Sequence, residues 1–175
     1  MKCLRGQVFS YDLVFALMVL VFLLWYSIAA SNAFADRIGY VEKENRMSEV
    51  AQSAIEQLTA SPGDPSNWKG FDANSIGLAE GVGALDSGKV ERFASLARSQ
   101  DGYETARAML SMNRQGGAYL FNLRVLGAGG NGIYSVGPKE PGEATVVSVT
   151  RTMAMDNRIV HVTMKVWGIE EGVGK

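Results

Sequence analysis

The stretch that decides how this chain is read is R5-G-Q-V-F-S-Y-D-L-V-F-A-L-M-V-L-V-F-L-L-W-Y-S-I-A-A-S31. No charged residue falls between Leu13 and Ala35, whereas Lys2, Arg5 and Asp12 all precede that run. A cleaved secretory signal has a basic start, an apolar core of roughly 7–15 residues and a small-x-small site. The uninterrupted core from Leu13 to Ala30 is longer, and as a helix it spans roughly 27 Å, close to the ~30 Å of bilayer hydrocarbon. Ala29, Ala30, Ser31 and Ala33 do supply small residues, so release by conventional cleavage stays open beside a retained anchor. The anchor fits the length better. Lys2 and Arg5 then hold the short N-terminal side in the cytoplasm and send the C-terminal part outward. Trp25 and Tyr26 suit the far interface.

The residues just before the run are informative. A carboxylate at the bilayer centre costs about 2.5–3.5 kcal/mol, but Asp12 sits at the edge, where it reaches the headgroups. Basic residues, Gly, Gln, a Ser and an acid, followed by an unbroken apolar helix, are here Lys2, Arg5, Gly6, Gln7, Ser10 and Asp12, then Leu13 onward. This order resembles the class III signal of archaeal type IV prepilins. The resemblance covers roughly the first 30 residues directly. It implies cutting by a prepilin peptidase between Gly6 and Gln7, with the helix retained and Gln7 as the new N-terminus. Many members of that family begin Gln-x-Ser-x-Glu; here Ser10 and Asp12 fall one position later and the acid is Asp. The Gly- and Ile-rich helix start usual in archaellins is absent, which favours pilin over archaellin.

The second half of the expected helix is different in kind. D36-R-I-G-Y-V-E-K-E-N-R-M-S-E-V-A-Q-S-A-I-E-Q-L-T-A60 contains no Pro, and Ile38, Val41, Met47, Val50, Ala51, Ala54, Ile55 and Leu58 recur at helical steps. Gly39 is its weak point, at about 1 kcal/mol against Ala. Ser61-Pro62-Gly63-Asp64-Pro65 ends it. The spacing predicts a helix from about Ser10 to Ala60, apolar all round and then amphipathic. A bent helix with separate membrane and juxtamembrane parts is the other reading of the same pattern.

Beyond it, Asn67 to Phe71 reads as a loop with two buried aromatics, and Gly77, Gly81 and Gly83 mark turns or a short helix. Asp86 or Ser87 caps a helix through about Arg98, with Val90, Phe93 and Leu96 inward. Asp101-Gly102-Tyr103-Glu104 resembles a capping box for another, from about Gly102 to Met112. After Gly116 the period becomes two: Tyr119, Phe121, Leu123 and Val125 share a face, as do Val147, Val149, Arg151, Met153 and Met155, and again Val160, Val162, Met164 and Val166. Asp156-Asn157 reads as a two-residue hairpin turn. The Gly- and Pro-rich spacer from Gly127 to Gly142 is a mobile loop or an extra hairpin around Ile133-Tyr134. The expected fold is α+β: a long N-terminal helix packed on a C-terminal antiparallel sheet with short helices between, in the order found in type IV pilins. The expected organisation is a leader (1–6), an apolar helix (7–35), its amphipathic continuation (36–60) and a head domain (61–175).

Composition narrows the function classes. The chain has 175 residues with 17 Lys+Arg against 18 Asp+Glu, so it lacks the basic stripe of a nucleic-acid binder. Cys3 is the only cysteine, so no intramolecular disulfide is expected. There is no Asn-x-Ser/Thr sequon. His161, the only histidine, alternates with Val160 and Val162 on the face opposite the apolar one and supplies no metal set by itself. Asp64, Asp72 and Glu80 lack calcium-loop spacing. G127-A-G-G-N-G132 is not followed by Lys-Ser/Thr and opens no expected helix, so it is not a phosphate cradle. No catalytic residue, cofactor or metal is expected, and the chain is not expected to be an enzyme. The resemblance implies a structural pilus subunit, major or minor, whose partners are its own copies or related pilins, the prepilin peptidase, the assembly platform and, before assembly, membrane lipid. Gly6 and Gln7 are its processing residues and Asp12 its candidate assembly residue. The alternative is a single-pass, membrane-anchored extracellular binding or accessory domain that does not polymerise.

Overall fold

The computed structural model describes residues 5–113, 118–142 and 144–169; for residues 5–10, 33–40 and Phe71 it describes the backbone alone. Lys2, Cys3 and Gly116 lie outside the described residues, as do the side chains of Arg5, Gln7, Ser10, Ile38 and Phe71. The chain divides into two compact units, Met1–Lys43 and Glu44–Lys175. Helix α1 runs Arg5–Ala60 without a break at Gly39.

In the second unit, α1 buries Met47, Ala51, Ala54, Ile55 and Leu58. These five stand on one stripe at helical spacing, and each large member contributes about 1.5–3 kcal/mol by leaving water. Val41, in the first unit, is 57% exposed. The helix stops where Pro62 lacks a donor and Gly63 turns left-handed at φ 84°. A Cβ at Gly63 would fall 2.6 Å from Trp68 Cδ1, so the turn needs glycine twice over. Trp68 is fully buried beneath this loop, its Nε1 donating to Gly77 O at 3.0 Å. Leu78 N then donates to Leu58 O at 2.7 Å, satisfying one of the open carbonyls of the last helical turn.

Among the described residues the sheet has six strands: β1 (Ala79–Gly81), β2 (Ala84–Leu85), β3 (Tyr119–Gly127), β4 (Gly132–Val136), β5 (Val146–Met155) and β6 (Arg158–Gly168), in the spatial order β1-β2-β5-β6-β3-β4. It is mixed, not purely antiparallel, because β2 runs parallel to β5 with Ala84 opposite Ala154. A two-residue strand is too short to show a period, so the glycine turns concealed it. The rest follows the alternation. Phe121, Leu123 and Val125 on β3 and Val160, Val162, Met164 and Val166 on β6 are buried, and β3 pairs with β6 from Tyr119↔Gly168 to Gly127↔Val160. Asp156 and Asn157 take φ 50° and 60°, closing β5 on β6 with Met155 opposite Arg158. The spacer forms the extra hairpin, β3–β4.

Two short helices follow β2: α2 (Ser87–Leu96) and α3 (Gln100–Met109). Asp86 caps α2, its carboxylate accepting from Lys89 N at 2.9 Å. The cap of α3 is Ser99, not Asp101: Ser99 is extended (ψ 150°) and its Oγ accepts from Gly102 N at 3.1 Å, while Asp101 already lies in the first turn. Both helices end two or three residues earlier than the sequence predicts. Ser111, at φ 58°, fixes the later stop.

Helix α3 completes an edge that β4 leaves open. β4 pairs with β3 only from Leu123 onward. Ahead of that point, Tyr103 Oη donates to Phe121 O at 2.8 Å and accepts from Phe121 N at 2.9 Å, and Arg107 Nε donates to Tyr119 O at 2.8 Å. On the opposite face, the β4–β5 connection is pinned across β3 and β6. Asn122 Nδ2 donates to Gly137 O and Pro138 O, and Glu140 lies 2.6 Å from Lys165 Nζ and 3.7 Å from Arg124. Glu140 is held below the usual carboxylate range by the Lys165 hydrogen bond first, then by its own backbone amide, with the charges of Lys165 and Arg124 adding.

Two outcomes follow from these contacts. Tyr103→Phe leaves two buried backbone groups of Phe121 without a partner and should cost about 1–3 kcal/mol in urea unfolding at neutral pH. The Glu140 carboxyl is depressed in the folded state, so its stabilisation is present above the ordinary carboxyl pKa and is lost as pH falls through the folded value. Urea midpoints should therefore decline on acidification, and Glu140→Gln should remove part of that slope while lowering the neutral-pH midpoint.

Candidate functional site

The first unit holds a helical segment, Tyr11–Asn32, of 22 residues with mean hydropathy 2.6. None of it is buried. Leu17, Phe22 and Trp25 are each more than 60% exposed, so the apolar surface faces outward all round the helix. A helix satisfies its own backbone hydrogen bonds, which makes such a segment stable in lipid and unfavourable in water. At 1.5 Å per residue it spans roughly 33 Å, enough for the ~30 Å hydrocarbon layer. The segment is suited to membrane anchoring or to a signal sequence.

Asp12 lies one residue inside the start of this segment and is exposed; among the described residues its carboxylate makes no hydrogen bond or ion pair. Gly6 and Gln7 fall in the opening turns of α1. The three therefore follow one another along the N-terminal part of one helix and do not converge on a pocket. Phe22 and Trp25 meet at 6.3 Å between centroids, a tilted pair on the outer surface.

The second unit holds the groups considered for chemistry. His161 is half-buried on β6, its Nδ1 3.1 Å from Thr152 Oγ1. Asp64 accepts from Asn74 Nδ2 at 3.1 Å, while Asp72 and Glu80 are exposed. Among the described residues no three His, Cys, Asp or Glu side chains group as metal ligands would. Sequence reasoning missed Lys89. It is buried, and its ammonium donates to Pro62 O and Ala79 O at 3.0 Å each, tying α2 to the loop after α1 and to β1. It missed Asn122 and Glu140 too, because their roles depend on a connection that crosses the sheet. Comparison with protein-family models, with curated proteins and with solved structures finds no match to this chain.

A charge in the middle of the apolar segment tests its role. Leu20→Arg adds about 2.5–3.5 kcal/mol to insertion, roughly a 70-fold or larger loss of membrane partitioning. Carbonate extraction of membranes should find the variant protein in the soluble fraction or missing from the exported pool; an unchanged membrane fraction would contradict the assignment.

Proposed function

We propose that this chain is a structural subunit of a type IV pilus-like surface filament, made as a membrane precursor and joined to its copies through α1. The observation that supports it is the composition of α1 itself: one helical element whose Tyr11–Asn32 segment is uncovered and whose residues 47–58 close an α+β head. The order of helix, connecting segment and sheet agrees with this reading, as does the order of residues from Lys2 to Asp12.

The precursor enters the membrane with its basic stub inside, is trimmed between Gly6 and Gln7 by a prepilin peptidase, and is extruded by an assembly platform. Growth moves the apolar segment from lipid into a bundle of identical helices. Lipid and bundle are equally apolar, so the transfer turns on close packing and polar pairing and gains little from hydrophobic burial. Asp12 supplies the pairing: its carboxylate meets the amine freed at a neighbour's Gln7, and two charges that would each be stranded in an apolar core neutralise one another. The head stays outside at the cell surface. No reaction is assigned to it.

Asp12→Ala should leave membrane insertion intact and reduce filament yield by electron microscopy at least about tenfold, equivalent to about 1.4 kcal/mol per added subunit. Asp12→Glu should assemble. Wild-type filament yield from Asp12→Ala would count against the pairing. A single-pass anchored domain uses the same exposed segment and predicts no filaments from any of the three proteins.

A further inference from the structure

The tips of the β3–β4 and β5–β6 hairpins enclose a cleft of about 790 Å³ at one end of the sheet, within the head. That is the size of a small-ligand site, which is typically about 300–1,000 Å³. One wall is the glycine run set aside above as a phosphate cradle. Gly127 N donates to Asn131 O, Gly130 N donates to Gly127 O, and Gly130 takes φ 79°, so the run closes as a tight turn before a strand. The amides of Ala128 and Gly129, both lining the cleft, donate to nothing among the described residues. A Cβ at Gly129 or Gly130 would meet no atom within 4 Å, so a ligand backbone has room to approach this wall.

The facing wall brings the charge. Arg158, directly after the β5–β6 turn, lines the cleft, and its guanidinium makes no hydrogen bond or ion pair among the described residues. Asp156 lines it as well, but its Oδ1 accepts from Ser87 Oγ at 3.0 Å. A guanidinium fork matches a planar carboxylate, and the neighbouring Asp156 balances that charge, which favours a monoanion over a dianion such as phosphate. Ile133, 45% exposed, and Ile159, 59% exposed, line the cleft too, as do Met155 and Val160. Two isoleucines this open on adjacent hairpin tips offer an apolar seat next to a cation.

We propose that this cleft binds a free peptide C-terminus with an apolar last residue. The carboxylate engages Arg158 and the Ala128 and Gly129 amides, the last side chain rests on Ile133 and Ile159, and the spare oxygen of Asp156 accepts the last peptide N–H. Capture of a terminal carboxylate by a turn of backbone amides is an established recognition mode. The site is independent of filament assembly.

The test is NMR titration of the full chain in detergent micelles with N-acetyl-leucine as the probe. Saturable shifts of the Ala128 and Gly129 amides and the Ile133 and Ile159 methyls are expected, with Kd on the order of 1 mM. N-acetyl-leucinamide, which lacks the carboxylate, and inorganic phosphate should leave these signals in place. Glucuronate, a monocarboxylate on a polar body, should bind at least about tenfold more weakly. Arg158→Ala should lose at least about tenfold in affinity and Arg158→Lys should fall between it and the unmodified protein. An equal response to the acid and its amide, unchanged affinity in Arg158→Ala, or no shift at about 20 mM probe would overturn the proposal; the first comparison needs no variant to fold.

Discussion

An apolar helix surface with no cover in its own chain is the constraint on which the rest depends. From Tyr11 to Asn32 every described side chain except that of Ala30, which is partly covered, is exposed, and Asp12 is the only charged one. Water penalises that surface, so it must meet lipid or other helices. Everything proposed about assembly is a consequence of what replaces lipid around this surface.

The head solves a different problem. Its sheet has one apolar face, which shares a core with the stripe from Met47 to Leu58 and with Val90 and Phe93 of α2. A sheet also exposes backbone groups at its edges, and here side chains satisfy some of them. Tyr103 and Arg107 take the place of a strand beside the start of β3, and Lys89 gathers the carbonyls of Pro62 and Ala79. Asn122 and Glu140 fasten the crossing connection. Arg151, on the apolar face of β5, is 3.5 Å from both Glu56 and Thr59 of α1, so a charge stands where the helix and sheet meet. These polar links specify how the parts fit, since an unpaired buried group costs more than a paired one gains.

Much of this was legible from residue order. Periodicity and turn residues found α1 from about Ser10, five residues after its start at Arg5, its stop at Ala60, the three long strands and the Asp156-Asn157 turn, because each rests on a local repeat or on a local φ requirement. The parallel pairing of β2 with β5 was not legible, since Ala84 and Leu85 carry no pattern and their partner lies far along the chain. Nor was the burial of Trp167, 2% exposed on the face that alternation turns outward. For the N-terminal segment, sequence and structure supply the same information, an uncovered apolar helix led by Gly6, Gln7 and Asp12.

The account stands most directly on how the N-terminus matures. Intact mass and N-terminal sequencing of the protein recovered from cell-surface material measure this without any variant. The account predicts a chain that begins at Gln7 and keeps Leu13 to Ala30. A chain beginning between Ser31 and Ala35 would contradict it, because the apolar segment would be gone; an intact Met1 would leave an anchor without processing.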